Sequence, residues 1–198
     1  MPESHLNHEL VSVAADRAPA APALSHGASA LDYAVLDHAV RACAAGLVGL
    51  GLPRAGRVGI YLEKRFETVI ASFGAPAAGG VFVPMNPLLK PEQVGFIARD
   101  CGVQVLVTSP DRLALLAPVL GDCPALRHVV VTEPPAQPPT LTPTLSLSLT
   151  LTLPPGVQMV SWPDLLAAAP RPGHRVIDTD MAAILYTSGS TGRPKGVV

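Results

Sequence analysis

Lysine is almost missing from this chain of 198 residues: Lys64, Lys90 and Lys195 are the only three. Charge is sparse and balanced, with 14 Lys and Arg against 15 Asp and Glu. A surface with no dominant sign offers no electrostatic footprint for nucleic acid or for an acidic membrane. Cysteine is equally scarce. Cys43, Cys101 and Cys123 are odd in number, widely separated and without a C-x-x-C pair, and no His/Cys cluster has metal-ligand spacing. They read as small buried thiols in a reducing compartment. No apolar run reaches the roughly 18 residues that a membrane span requires. The first residues hold no Lys or Arg before Arg17 and no sustained apolar stretch, so they do not read as a secretory signal. The expectation is a cytoplasmic protein with no transmembrane segment.

What is abundant is Ala, Val, Leu and Pro, enough for a sizeable buried core. The first 29 residues carry little pattern beyond a short helix at 10–15. Apolar residues then recur at helical spacing from Leu36 to Leu52, with Asp32 placed to cap the start and Gly49, Gly51 and Pro53 to end the helix. A β-rich run at 57–62 follows, then a helix over 64–79 that contains Pro76, and a strand at 81–83. Pro91 opens a helix to about 100. A strand at 103–108, a helix near 111–120 and a strand at 128–132 continue the alternation. Apolar strands alternating with helices predict an α/β fold, a mostly parallel sheet flanked by helices.

Residues 133–158 break that rhythm. A Pro-rich stretch leads into alternating Thr or Ser and Leu, interrupted by Pro143, which reads as a low-complexity surface insertion. Beyond it, Ser161 caps a helix with Pro163 near its first turn, 171–175 reads as a linker, and 180–186 as a strand.

That last strand runs into the stretch where the chemistry concentrates. It reads Tyr-Thr-Ser-Gly-Ser-Thr-Gly-Arg-Pro-Lys-Gly at 186–196. Glycines let the backbone bend tightly and bring successive N–H groups near an anion. Thr187, Ser188, Ser190 and Thr191 add hydroxyl donors, and Lys195 adds a point positive charge suited to a terminal phosphate. Spacing excludes a Walker loop, because Pro194 stands where the second glycine belongs and Gly196 follows the lysine. Gly189 is followed two places on by Thr191, so it is not a dinucleotide fingerprint. A plain polar turn between strands would share the glycines and hydroxyls, but not the lysine set after Arg193-Pro194.

The stretch at 186–196 resembles the phosphate-binding signature of the adenylate-forming, AMP-binding superfamily, which includes acyl-CoA ligases and the adenylation domains of nonribosomal peptide synthetases. Other stretches are similar to the N-terminal part of an acyl-CoA ligase: 31–36, 44–52, 57–60 and Ala78-Gly79-Gly80-Val81-Phe82-Val83-Pro84-Met85-Asn86-Pro87. Within the family, 61–65 and 86–93 most resemble a bacterial ligase branch associated with exosortase gene clusters. The resemblance implies that residues 1–198 are a partial AMP-binding N-terminal domain, interrupted by the insertion at 133–158 and lacking the C-terminal domain. It implies ATP with Mg2+, a carboxylate substrate and coenzyme A. A carboxylate attacks the α-phosphate, pyrophosphate leaves, and a thiol then displaces AMP. By match of position, Thr187, Ser188, Gly189, Ser190, Thr191, Gly192 and Lys195 hold the β- and γ-phosphates, and Thr187 also helps to seat magnesium.

No catalytic residue is assigned. The family's aromatic-Gly-x-Thr-Glu segment, ribose-binding aspartate and late catalytic lysine have no counterparts in this sequence, so the expectation is a fragment that does not catalyse alone. Two other readings stay open: an adenylation domain that loads a carrier-protein thiol, and a non-catalytic nucleotide-binding remnant.

Overall fold

The computed structural model of the chain describes residues 6–132, 153–188 and 194–198. At its centre is a five-stranded, wholly parallel sheet. Five helices cover this sheet, and a sixth, α1 (Glu9–Arg17), packs on α2. The small β1 (Pro22–His26) and β2 (Ser29–Asp32) form an antiparallel hairpin before it. The hairpin was not foreseen from the sequence. Its strands hold no β-branched or aromatic residue, and the signal lies in the two-residue turn, where Gly27 adopts φ +59°.

α2 (Tyr33–Gly49) starts where Asp32 accepts a hydrogen bond from the Val35 N–H at 2.8 Å, as the sequence predicted. β3 (Arg57–Tyr61), α3 (Phe66–Ala77), β4 (Val81–Pro84), α4 (Pro91–Asp100), β5 (Val103–Thr108), α5 (Pro110–Leu120) and β6 (His128–Val131) follow the expected alternation within a few residues at each end. β7 (Gln158–Ser161) adds a fifth strand beside β6. The sequence reading passes over it, because Gln-Met-Val-Ser adjoins the low-complexity stretch and has little apolar periodicity. Leu153 and Val157, just before it, pack on the core, while 133–152 lie outside the described residues. α6 (Trp162–Leu166) opens on Ser161, whose hydroxyl accepts from the Asp164 N–H.

The spatial order is β4-β3-β5-β6-β7. From β3 the chain crosses outward to β4 and then back past β3 to β5. With right-handed crossovers, that reversal puts α3 on one face and α4 and α5 on the other. The two cores match this division. One joins α2, α3 and α6 to Val58, Ile60, Val105, Val107 and Val130; the other joins α4 and α5 to Val81, Val83, Leu106 and Val129. Both faces are dry, so the strands read as continuous apolar runs. All three cysteines are buried and free, and burial pushes the Cys43 thiol up to about 12.

Close approach of α2 to its neighbours depends on glycine. A Cβ on Gly46 would lie 2.2 Å from the backbone oxygen of Leu165 in α6, and one on Gly74 would meet Cys43 Sγ at 2.7 Å. Helix propensity alone favours Ala over Gly by about 1 kcal/mol, but the Leu165 carbonyl cannot swing away as a side chain can. Overpacking costs about 1–3 kcal/mol, so Gly46→Ala is expected to lower the urea midpoint despite its better propensity. A raised midpoint would show that α6 shifts freely.

At the carboxyl ends of the strands, side chains tie three loops together. Tyr61 Oη donates to the Leu89 carbonyl at 2.8 Å. The Arg112 guanidinium lies 4.7 Å above the Tyr61 ring, donating to Glu63 Oε1 at 2.6 Å and to the Pro87 carbonyl at 2.7 Å. Buried hydroxyls continue the tie: Thr108 donates to the Tyr61 carbonyl at 3.0 Å. The hydrogen bond from Arg112 holds the Glu63 carboxyl below its ordinary value, against the opposing effect of burial. A carboxyl lowered in the folded state contributes stability above its unfolded value, and loses it as pH falls through the folded one. Below about pH 4.5, the ordinary value, urea stability of the native chain is expected to fall more steeply than that of Glu63→Gln. Parallel pH profiles would mean that the pair contributes nothing.

Candidate functional site

The glycine-rich stretch is reached along a segment that is strapped across the amino ends of the strands. The sequence reading of 171–175 as a linker misses this. His174 donates its N–H to the Ala78 carbonyl at 3.1 Å, and its Nε2 lies 2.8 Å from the Leu52 carbonyl oxygen. The chain can lie this close because Gly79 and Gly173 carry no side chain: a Cβ on Gly173 would sit 2.1 Å from the Ala77 oxygen. Farther on, Arg54 donates to the Arg175 carbonyl at 3.1 Å and clamps both Asp180 oxygens at 2.6 and 2.7 Å. The Ile177 N–H donates to the same carboxylate. That backbone hydrogen bond, then Arg54, hold the Asp180 carboxyl below the usual range.

From Asp180 the chain joins the outer edge of β4. The Phe82 N–H donates to the Ala182 carbonyl and the Ile184 N–H to the Phe82 carbonyl, both at 3.0 Å, making a parallel bridge at Ala183. Ile184 drops into the core. The strand expected over 180–186 is therefore shorter and placed later: an isolated bridge, then β8 (Leu185–Ser188). Its start is consumed by the Asp180 turn, in which the Asp180 N–H donates to the Ile177 carbonyl.

β8 does not continue the parallel sheet. It pairs antiparallel with β9 (Pro194–Val197), in the register Leu185↔Val197, Tyr186↔Gly196, Thr187↔Lys195 and Ser188↔Pro194. The glycine-rich residues thus lie in sequence between two paired strands; the sequence reading weighed a turn between strands but did not place β9, because Pro194-Lys195-Gly196-Val197 has few strand formers. Of the expected site residues, Thr187 and Lys195 are brought directly opposite each other. Residues paired in this way have Cβ atoms about 4.5–5.5 Å apart on one face. Both are exposed, so a hydroxyl and an ammonium are open to one ligand. The Ser188 backbone is paired with Pro194 beside them. Gly189, Ser190, Thr191 and Gly192 lie outside the described residues.

Alternation puts Tyr186 on the other face, where its hydroxyl donates to Asp100 Oδ2 at 2.6 Å. Burial first, and Asp100 next, push the phenol well above its ordinary range. Neither Asp100 nor the opposing Gly196 was singled out from the sequence as a site residue. Asp100 is 86 positions away from Tyr186, and no local spacing signals such a contact.

The arrangement is an exposed strand pair, with hydroxyl and lysine neighbours flanking a glycine-rich connection. Comparisons with known proteins agree on one family. The model of the family described as AMP-binding enzyme matches residues 11–198. The peroxisomal long chain acyl-CoA synthetase 6 of Arabidopsis thaliana is 33% identical over 173 residues, which are 85% of this chain and 23% of that protein. A linear gramicidin synthase polypeptide of Brevibacillus parabrevis is 30% identical over 191 residues, 96% of this chain and 2% of that protein. Among solved structures, the anthranilate CoA ligase AuaEII in complex with anthranoyl-AMP superposes with a TM-score of 0.80 at 24% identity, covering 100% of this chain and 35% of that one. The chain thus spans about a quarter or less of these curated relatives. A sheet of the same architecture and a family match across almost the whole length lead to one conclusion: the chain belongs to the AMP-binding enzymes, the adenylate-forming superfamily.

Proposed function

We propose that this chain is the phosphate-binding N-terminal part of an ATP-dependent acyl-CoA ligase, which activates a fatty or other carboxylic acid and passes it to coenzyme A. The observation that carries the reading is the Thr187↔Lys195 pairing. It puts a hydroxyl donor and a positive charge on one exposed face, on the two strands that precede and follow the glycine-rich residues in sequence. Polyphosphate needs those groups: a positive charge from a lysine, further charge-assisted hydrogen bonds from hydroxyls and amides to its anionic oxygens, and little steric bulk. In this reading Thr187, Ser188, Gly189, Ser190, Thr191, Gly192 and Lys195 would hold the β- and γ-phosphates, and Thr187 would help to seat the magnesium that accompanies the nucleotide. ATP supplies the α-phosphorus on which the acid is activated, with pyrophosphate as leaving group. The protein's part is to fix the pyrophosphate end and share the charge that gathers there.

A second reading is favoured by one specific observation. The match to the gramicidin synthase runs over 96% of this chain, and a carrier-protein thiol would take the place of coenzyme A there. Offering the full-length enzyme coenzyme A and a pantetheinylated carrier protein in parallel separates the two acceptors. In neither reading does the described part supply a residue that acts on the carboxylate or on the thiol. The likeness to the exosortase-associated branch rests on 61–65 and 86–93, and these two stretches meet through Tyr61, Glu63, Arg112 and the Pro87 and Leu89 carbonyls.

Lys195 is exposed, so its removal should leave folding untouched. Lys195→Ala is expected to weaken Mg-ATP binding about tenfold or more, the equivalent of one hydrogen bond to a charged group. In the full-length enzyme it should slow ATP–pyrophosphate exchange by a similar factor, with an unchanged urea midpoint. Equal affinity in variant and native chain would remove Lys195 from the site.

A further inference from the structure

The strand pair that carries Thr187 and Lys195 has one flank on the edge of β4 and the other over the end of α4. At that second flank Tyr186 Oη donates to Asp100 Oδ2 at 2.6 Å. Asp100 is the last residue of α4. A carboxylate there opposes the helix dipole, because the unsatisfied carbonyls at a helix C-terminus already carry partial negative charge. Nothing in α4 therefore gains from an acid at this position, and the tyrosine hydroxyl is the partner that uses it. Gly196, directly across from Tyr186, makes room for the ring: a Cβ there would lie 3.2 Å from Tyr186 Cζ and 3.0 Å from Ile184 Cγ2. Two residues of the strand pair and one of the helix thus form a latch.

Because neighbouring residues of a strand point to opposite faces, fixing the Tyr186 ring against α4 also fixes the direction in which Thr187 and, across from it, Lys195 project. We propose that Tyr186 and Asp100 are positioning residues for the phosphate-binding strand pair, and that their hydrogen bond sets the tilt of β8 and β9 on α4. The proposal rests on reading that pair as a polyphosphate cradle. Burial keeps the phenol protonated, so the donor persists across ordinary assay pH. Neither residue touches the ligand; both act through the orientation of Thr187 and Lys195.

The test uses Tyr186→Phe, Asp100→Asn and the double variant of the 198-residue chain. Amide hydrogen exchange is read in β8 and β9, with β5 and β6 as internal references, and affinity is measured for Mg-ATP and for inorganic pyrophosphate. Tyr186→Phe is expected to raise exchange in β8 and β9 about tenfold, as loss of one charge-assisted hydrogen bond implies, and Asp100→Asn, whose amide oxygen can still accept, by less. The references should not change. Affinity should fall about tenfold in Tyr186→Phe, less in Asp100→Asn, and no further in the double variant than in Tyr186→Phe, since both act on the same bond. Asp100→Asn should not lower the urea midpoint, because it removes a charge set against the dipole. Unchanged exchange in β8 and β9, or losses that multiply in the double variant, overturns the latch. A native chain whose strand pair is protected, yet binds neither Mg-ATP nor pyrophosphate, overturns the cradle reading and the ligand half of this proposal. The exchange data then still decide whether the latch exists.

Discussion

The outer edge of β4 leaves a row of backbone N–H and C=O groups that the sheet itself does not use. An unpaired strand edge is unstable in isolation and prone to pair with any extended segment nearby. Here the segment 182–184 meets that demand: Phe82 both donates to Ala182 and accepts from Ile184. The placement of the candidate site follows from this pairing. It sets where the chain leaves the sheet, drops Ile184 into the core as an anchor, and starts β8 at a fixed height beside α4. Arg54 and Asp180 secure the approach from below, so the segment reaches the edge in a single register.

This explains why a short antiparallel pair can stand at the rim of a parallel sheet. Two strands alone are marginal in water, and β8 and β9 expose Leu185 and Val197 on the same face as Thr187 and Lys195. They hold their place through what lies on the other face, where Tyr186 packs on the core beneath and reaches Asp100. The site has an open side, on which Thr187 and Lys195 can receive a ligand, and a half-buried side that fixes its direction. On the opposite face of the sheet, α2 plays the equivalent supporting part, with Gly46 and Gly74 permitting contacts that larger residues would block.

Much of this was legible before any coordinates. Runs such as Val103-Gln104-Val105-Leu106-Val107 and the caps at Asp32, Pro91 and Ser161 are local features, and local features survive folding when tertiary packing agrees with them. β1 and β2 were hidden because Pro-Ala-Leu-Ser-His and Ser-Ala-Leu-Asp have neither β propensity nor clear alternation; their pairing is fixed by Gly27 and by α2 beneath. β7 was hidden for a similar reason, its partner β6 supplying the ladder that its own residues do not announce. The strap at 171–180 could not be seen at all. His174 and Arg54 look like ordinary polar residues until the fold brings them to carbonyls and a carboxylate more than a hundred positions away.

By itself the sequence determined the α/β class, the chemistry of the glycine-rich stretch and the identity of Thr187 and Lys195 as candidates, since composition, periodicity and motif spacing are all written along the chain. Only the tertiary structure decided that these two residues stand opposite each other, that Tyr186 turns away from them toward Asp100, and that Gly196 makes room for it. Those are relations across strands and between layers. They depend on register and on which face each residue takes, and hydrogen bonding to a partner strand fixes both only once the sheet has formed.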